Sequence, residues 1–153
     1  MIPRSGPTDP RHVLFLCSLN AIRSPMAAAL LKHLRGTRVH VRSAGIRDGA
    51  TVDGFAVAVM GELGIDIKDH QPQALGELED QSFDLVVTLS PEAHHQALEL
   101  TRTQAVAVEY WPIPDPTAAD GPREARLDAY RAVRDALLKR IRARFPGPLI
   151  AKP

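Results

Sequence analysis

Cys17 and Arg23 stand six positions apart in the segment Cys17-Ser18-Leu19-Asn20-Ala21-Ile22-Arg23-Ser24, where residue types and spacing combine into a chemistry. A loop of this size curls so that the backbone N–H groups of Ser18 to Ser24 point towards its centre, above a helix N-terminus. Such a nest holds a tetrahedral oxyanion. Arg23 forks onto two oxygens of that anion and fixes its orientation, which a lysine would not do. The same positive field favours the thiolate of Cys17. A cysteine in such a field is a candidate nucleophile. The loop contains no glycine, so Asn20, which tolerates positive φ, is predicted to take the left-handed conformation. A lone cysteine at a strand end reads as a small buried hydrophobe. Here Asn20, Arg23 and the Ser24-Pro25 helix start, in register with it, carry the functional reading. No nucleotide-binding G-x-x-x-x-G-K-[ST] loop occurs.

Displacing an alkoxide or phenoxide from phosphorus requires a proton donor at the leaving oxygen. Asp115, in Tyr110-Trp111-Pro112-Ile113-Pro114-Asp115-Pro116, is held stiffly between two prolines and is the candidate acid. By itself an Asp-Pro pair is a plain turn signal. Asp120, in Ala-Asp-Gly-Pro, is the competing carboxylate and reads instead as the cap of the final helix. Arg47, Tyr110 and Trp111 are candidates for the wall of a substrate pocket. Arg47 would favour an anionic substrate surface, and the two aromatics suit partial core packing equally well. His94 and His95, near Glu92, do not read as metal ligands, because adjacent helical residues point about 100° apart. His12, His33, His40 and His70 are scattered and read as surface or hydrogen-bonded residues. Neither a metal nor a cofactor is expected.

These residues must be positioned by an alternation of strands and helices. Val13-Leu14-Phe15-Leu16 is an apolar run of the kind found in a strand buried on both faces. Met26, Leu30 and Leu34 then repeat at helical spacing, with Ser24 as a capping hydroxyl and Pro25 at the first helical position. Val39–Ser43 reads as a strand, Val52–Leu63 as a helix ending at Gly64, Phe83–Leu89 as a strand, Pro91–Leu100 as a helix and Ala105–Glu109 as a last strand. Leu127, Tyr130, Leu137, Ile141 and Phe145 place an apolar stripe along a final helix over 122–145. The pattern predicts a three-layer α/β fold: a four-stranded parallel sheet of order 2-1-3-4, flavodoxin-like, with helices on both faces. Cys17 and the Asp115 loop then lie at the C-terminal edge of the sheet, where ligands of such folds bind.

With 153 residues, 44% of them apolar, the chain has enough material for one core, hiding roughly 70% of the unfolded surface. The expected organisation is a flexible extension over 1–11, a single domain over 12–146 and a tail over 147–153. No apolar run approaches the ~20 residues of a membrane span, and the N-terminus lacks a signal-like apolar region, so a cytoplasmic protein with no membrane partner is expected. A single cysteine excludes an internal disulfide. The net charge of +1 speaks against a nucleic-acid partner, yet residues 122–145 hold eight Lys/Arg and three Asp/Glu. Either that helix has a solvated basic flank or it is a docking face for acidic partners. A monomer or weak dimer is expected.

From about His12 to Phe145 the chain resembles the low-molecular-weight protein tyrosine phosphatase family, with its arsenate-reductase relatives of the same fold. The resemblance rests on Val13 to Ala27, on Ser43-Ala44-Gly45 and on Asp115-Pro116. It implies Cys17 as nucleophile, Arg23 as phosphate clamp, Asp115 as acid and then base, Ser24 as a hydroxyl supporting the thiolate, and Asn20 and Ser43 as stabilisers of the loop. The chain departs from the family in having Ala21 and Ile22 where a second cysteine is common. Thr117-Ala118-Ala119 stand where relatives carry tyrosines, and Ile46-Arg47-Asp48-Gly49 lacks the usual aromatic wall. The expected activity is hydrolysis of a phosphomonoester, phosphotyrosine above all, on a protein or a small aryl phosphate. Phosphate, sulfate and vanadate are expected as site ligands. Two alternatives stand beside it: a single-cysteine arsenate reductase drawing on an external small thiol, and an idle reader of phospho-residues docking through the basic helix.

Overall fold

The central strand of the sheet is hidden from water along nearly its whole length, since Val13 to Leu16 are fully buried and Cys17 is 2% exposed. In this computed structural model, which describes residues 7–79 and 82–147, the strand spans His12–Cys17 (β1). It pairs in parallel with His40–Gly45 (β2) on one side and Leu85–Thr88 (β3) on the other, and Ala107–Tyr110 (β4) completes a four-stranded sheet of order β2-β1-β3-β4. The order and the parallel sense match the sequence reading.

Alternation along β1 divides the core in two, as the two-residue strand period requires. Val13, Phe15 and Cys17 join Met26, Leu30, Val59, Leu127, Tyr130 and Leu137 on one face, beneath helices Arg23–Arg35 (α1), Gly54–Gly61 (α2) and Arg123–Arg144 (α4). Leu14 and Leu16 pack on the other face with Ala93 and Ala97 of Pro91–Leu100 (α3). Burying a leucine or phenylalanine side chain contributes ~1.5 to 3 kcal/mol, so β1 anchors both layers. Its C-terminal residue, Cys17, is thereby fixed in space.

Some boundaries differ from the sequence reading for identifiable reasons. Asp53 caps α2 by accepting from the N–H groups of Phe55 and Ala56, which starts that helix at Gly54 instead of Val52. Ser24 is not the cap of α1. The helix already begins at Arg23 after Ile22, and the Ser24 hydroxyl turns inward to the loop. Asp120 does not cap the final helix either, because Pro122 occupies the cap position and no side chain bonds there. The arginines of α4 are not all in water: Arg134 bonds the Val59 carbonyl, and Arg144, 5% exposed, pairs with Glu109. Residues 7–11 lie against the domain, the Pro7 carbonyl accepting from Arg144 and the Arg11 N–H bonding Asp84. Residues 1–6 and most of the segment read as a tail lie outside the described residues. Among the described residues no helix is long and apolar enough to cross a membrane.

Candidate active site

The loop between β1 and α1 is shaped by what its carbonyls do. Those of Cys17, Ser18, Leu19 and Ala21 accept from the N–H groups of Ile46, Arg47, Gly49 and Asp53 at 2.8 to 3.0 Å, so the segment after β2 holds the outer rim of the loop. The Asn20 carbonyl is taken by His70 Nε2 at 3.0 Å. With the carbonyls turned outward, the peptide N–H groups of Ser18, Leu19, Ala21, Ile22 and Arg23 have no protein acceptor among the described residues, which is the condition for an anion nest. Gly45 makes the close approach possible: a Cβ there would lie 2.8 Å from Asn20 N and from the Leu19 carbonyl carbon.

Asn20 takes the left-handed conformation foreseen for it, with φ of 57°, and is fully buried. Its side chain uses every hydrogen-bonding site it has. Nδ2 donates to Ser24 Oγ at 2.8 Å and Ser43 Oγ at 2.9 Å, and Oδ1 accepts from Gln73 N and His70 Nε2, both at 3.0 Å. The same residue's N–H points to Cys17 Sγ at 3.3 Å, and Ser24 Oγ lies 2.9 Å from that sulfur. The Ser24 hydroxyl has one proton and two acceptors within reach, the sulfur and the Ala44 carbonyl at 3.3 Å. A sulfur anion recruits that proton, because hydrogen bonds to charged acceptors are the stronger ones. His70 belongs to this arrangement as a neutral donor. Burial holds its pKa below the ordinary value against the pull of the Asn20 carbonyl, and Lys32 lowers it further.

Arg23 opens α1 and is fastened by Nη1, which donates to the carbonyls of Ile113 at 3.0 Å and Leu89 at 3.4 Å. Nε and Nη2 are left for an oxyanion. Asp115 caps the short turn Pro116–Ala118, its Oδ1 accepting from the N–H of Thr117 at 3.0 Å and from its hydroxyl at 2.7 Å. Burial pushes the Asp115 carboxyl up, but the two bonds from Thr117 and the charge of Arg23 outweigh it and hold the pKa below the ordinary value. Cys17, Ser18, Leu19, Ala21, Ile22, Arg23, Arg47, Asp115 and Thr117 line one cavity of about 290 Å³. Thiol, guanidinium and carboxyl thus share a space large enough for a phosphate group and part of what carries it.

The wall candidates separate. Arg47 reaches the cavity, but its guanidinium is bound to Glu92 of α3, so its charge is matched. Tyr110 and Trp111 do not line the cavity. Trp111 continues the ladder by donating to the Thr88 carbonyl, which turns its ring into the core against Phe15. Tyr110 stacks on His94. Sequence reasoning missed Thr117, Asp53, Gln73 and His70 as parts of the site. Each is a single polar residue in a loop or at a helix start, with no spacing to mark it.

A nest of inward N–H groups over a helix start, with a thiol at its base and a guanidinium on its rim, has the make-up of an oxyanion site at the C-terminal edge of a parallel sheet. The model of the low molecular weight phosphotyrosine protein phosphatase family matches residues 12–145, and the chain belongs to that family. It is 36% identical over 130 residues to an arsenate reductase of Halalkalibacterium halodurans, covering 85% of this chain and 91% of that protein. It is 34% identical over 140 residues to a protein-arginine-phosphatase of Geobacillus stearothermophilus, covering 84% and 89%. Among solved structures, a YwlE mutant from Bacillus subtilis superimposes with a TM-score of 0.72 at 26% identity, over 86% of this chain and 94% of the other.

Proposed function

We propose that the chain hydrolyses phosphomonoesters through a phosphocysteine, with phosphotyrosine as the first substrate to test. Cys17 Sγ attacks phosphorus in line, the S–P bond forming as the P–O bond to the leaving group breaks. The loop N–H groups and Arg23 hold the three equatorial oxygens, and Asp115 delivers its proton to the leaving oxygen. Water then attacks phosphorus, Asp115 accepts its proton, and the thiolate departs. The observation behind this reading is that Cys17, Arg23 and Asp115 line one cavity, with the Asn20 N–H and the Ser24 hydroxyl set around the sulfur. A phospho-residue reader has no use for an acid there.

The lowered Asp115 pKa fits a carboxyl that gains its proton when a phosphate dianion arrives, because a nearby negative charge favours the neutral acid. No aromatic side chain lines the cavity among the described residues, so phosphoarginine, the substrate class in the name of the Geobacillus relative, belongs in the same panel as phosphotyrosine and phosphoserine. The test is turnover on that panel, with acid-quenched mass spectrometry for a phosphoryl group on the Cys17 peptide. Turnover with the adduct supports the reading; absence of both refutes it.

A second reading is favoured by relatives named arsenate reductase. Arsenate has the shape and charge of phosphate and fits the same cradle. With one cysteine in the chain, no internal disulfide relay can form, so the two electrons must come from two external thiols, giving arsenite, water and a disulfide. Arsenate turnover that depends on added small thiol, measured beside aryl phosphate hydrolysis, separates the readings.

A further inference from the structure

We propose that Arg123 and Arg126, carried on the ring of Phe55, form a second anion subsite beside the cradle, and that it selects phosphorylated peptides with acidic residues next to the phospho-residue. The proposal rests on the phosphatase reading above and names the substrate class of that site.

The guanidinium carbons of Arg123 and Arg126 lie 5.3 and 4.6 Å from the centroid of Phe55, three positions apart on the first turns of α4. Three other arginines of this helix are matched by carboxylates, Arg131 by Glu62, Glu124 and Asp128, Arg134 by Glu62 and Asp135, and Arg144 by Glu109, whereas Arg140 and Arg142, like Arg123 and Arg126, have no ion pair among the described residues but lie towards the far end of the helix. Arg123 and Arg126 are exposed and have no carboxylate partner among the described residues, although Glu124 lies between them in sequence and turns to Arg131 instead. Two like charges held on one ring repel each other, and the positive end of the α4 dipole adds to their field. An anion between them relieves that repulsion and accepts from both.

Their mounting ties them to the cradle. The Asp53 N–H holds the Ala21 carbonyl at 3.0 Å, its Oδ1 caps Phe55 N at 2.8 Å, and its Oδ2 accepts from the Tyr130 hydroxyl at 3.0 Å. The Tyr130 ring packs on Phe55 with centroids 5.2 Å apart, and Asp115 and Arg126 both lie near enough to its hydroxyl to act on it electrostatically. The Pro116–Ala118 turn, whose Thr117 lines the cavity, packs on α4. The two arginines, at the start of α4, therefore sit on the helix against which the acid-bearing turn packs, outside the cavity lining itself. Arg47, which lines the cavity, is paired with Glu92, so its charge is less available to a substrate than that of Arg123 and Arg126.

The experiment measures dissociation constants for two phosphonomethyl-phenylalanine peptides, which cannot be hydrolysed, one with Asp/Glu flanks and one with Asn/Gln flanks. The wild type, R123Q/R126Q and R47Q are compared, with p-nitrophenyl phosphate turnover measured alongside. The wild type should bind the acidic peptide roughly fivefold tighter at low salt, and the gap should shrink at high salt. R123Q/R126Q should bring the two peptides within twofold while hydrolysing p-nitrophenyl phosphate as the wild type does. Equal affinities in the wild type, or a preference that survives R123Q/R126Q and disappears in R47Q, would overturn the proposal. A protein that leaves p-nitrophenyl phosphate untouched refutes the phosphatase reading, and the ratio of the two affinities still decides the subsite.

Discussion

His70 Nε2 lies 3.0 Å from both the main-chain oxygen and the Oδ1 of Asn20, so one imidazole N–H fastens the left-handed residue on which the loop turns. Removing it leaves two acceptors of a buried residue short of a donor, at a cost of about 1 to 3 kcal/mol. His70→Ala should lower the melting temperature and weaken phosphate binding, and His70→Gln, which keeps an N–H donor, should recover part of both. The pH dependence has a definite sign. A histidine whose folded pKa is depressed contributes stability that is complete above its unfolded pKa, about 6.5, and is lost as pH falls below it. Melting temperatures between pH 8 and pH 5 should fall less steeply in His70→Gln than in the wild type.

Cys17→Ser should abolish turnover of aryl phosphates while inorganic phosphate or vanadate still binds, since Arg23 and the loop N–H groups are untouched. Calorimetry of the variant checks the second half. A variant with wild-type turnover would remove Cys17 from the chemistry.

Asp115→Asn should lower kcat on a substrate with a poor leaving group, such as phenyl phosphate, by roughly 10²- to 10⁴-fold, the usual contribution of a positioned proton donor. On p-nitrophenyl phosphate, whose leaving group needs little help, the loss should be much smaller. Equal losses on both would assign Asp115 a structural part only.

Thr117→Val removes the hydroxyl bond that helps hold the Asp115 pKa down, so the carboxyl should keep its proton to higher pH. The limb on which kcat/KM falls with rising pH should move upward, with little change in the Cys17 adduct. An unmoved profile would mean that Thr117 does not tune the acid.

Gly45→Ala places a methyl group against Arg47 O, Asn20 N and the Leu19 carbonyl carbon, none of which can yield without deforming the loop. The variant should lose measurable phosphate binding before it loses its helical circular dichroism, because β2 otherwise keeps its pairing. Phosphate affinity within twofold of the wild type would show that the loop relaxes freely.

Much of this site was legible because its inner parts are contiguous. Val13 to Leu16 announce the buried strand, Cys17 and Arg23 fall at its end with cradle spacing, and Asn20 had to supply the positive φ that no glycine offered. The outer parts were not legible. His70, Gln73, Asp53 and Thr117 act through a few hydrogen bonds each, from segments far from the loop in sequence, and a lone polar residue in a loop has no period to reveal it. For Ser24 the helix-cap reading failed while the thiolate-supporting role implied by the resemblance fits the structure: a serine before a proline caps a helix as readily as it faces a sulfur, and here its hydroxyl is held beside Cys17 Sγ by Asn20 and the Ala44 carbonyl. Tyr110 and Trp111 followed the same logic, since an aromatic beside a strand end packs in the core or lines a pocket according to its side of the ladder.

The carbonyls of Cys17, Ser18, Leu19 and Ala21 are held from beyond β2, and that of Asn20 from His70. The octapeptide from Cys17 to Ser24 is consequently no portable module. Transplanted alone into a foreign strand and helix it would bring the cysteine and the arginine without the scaffolding that turns its amides inward, and on the ribosome the site stays incomplete until the chain has grown past Thr117.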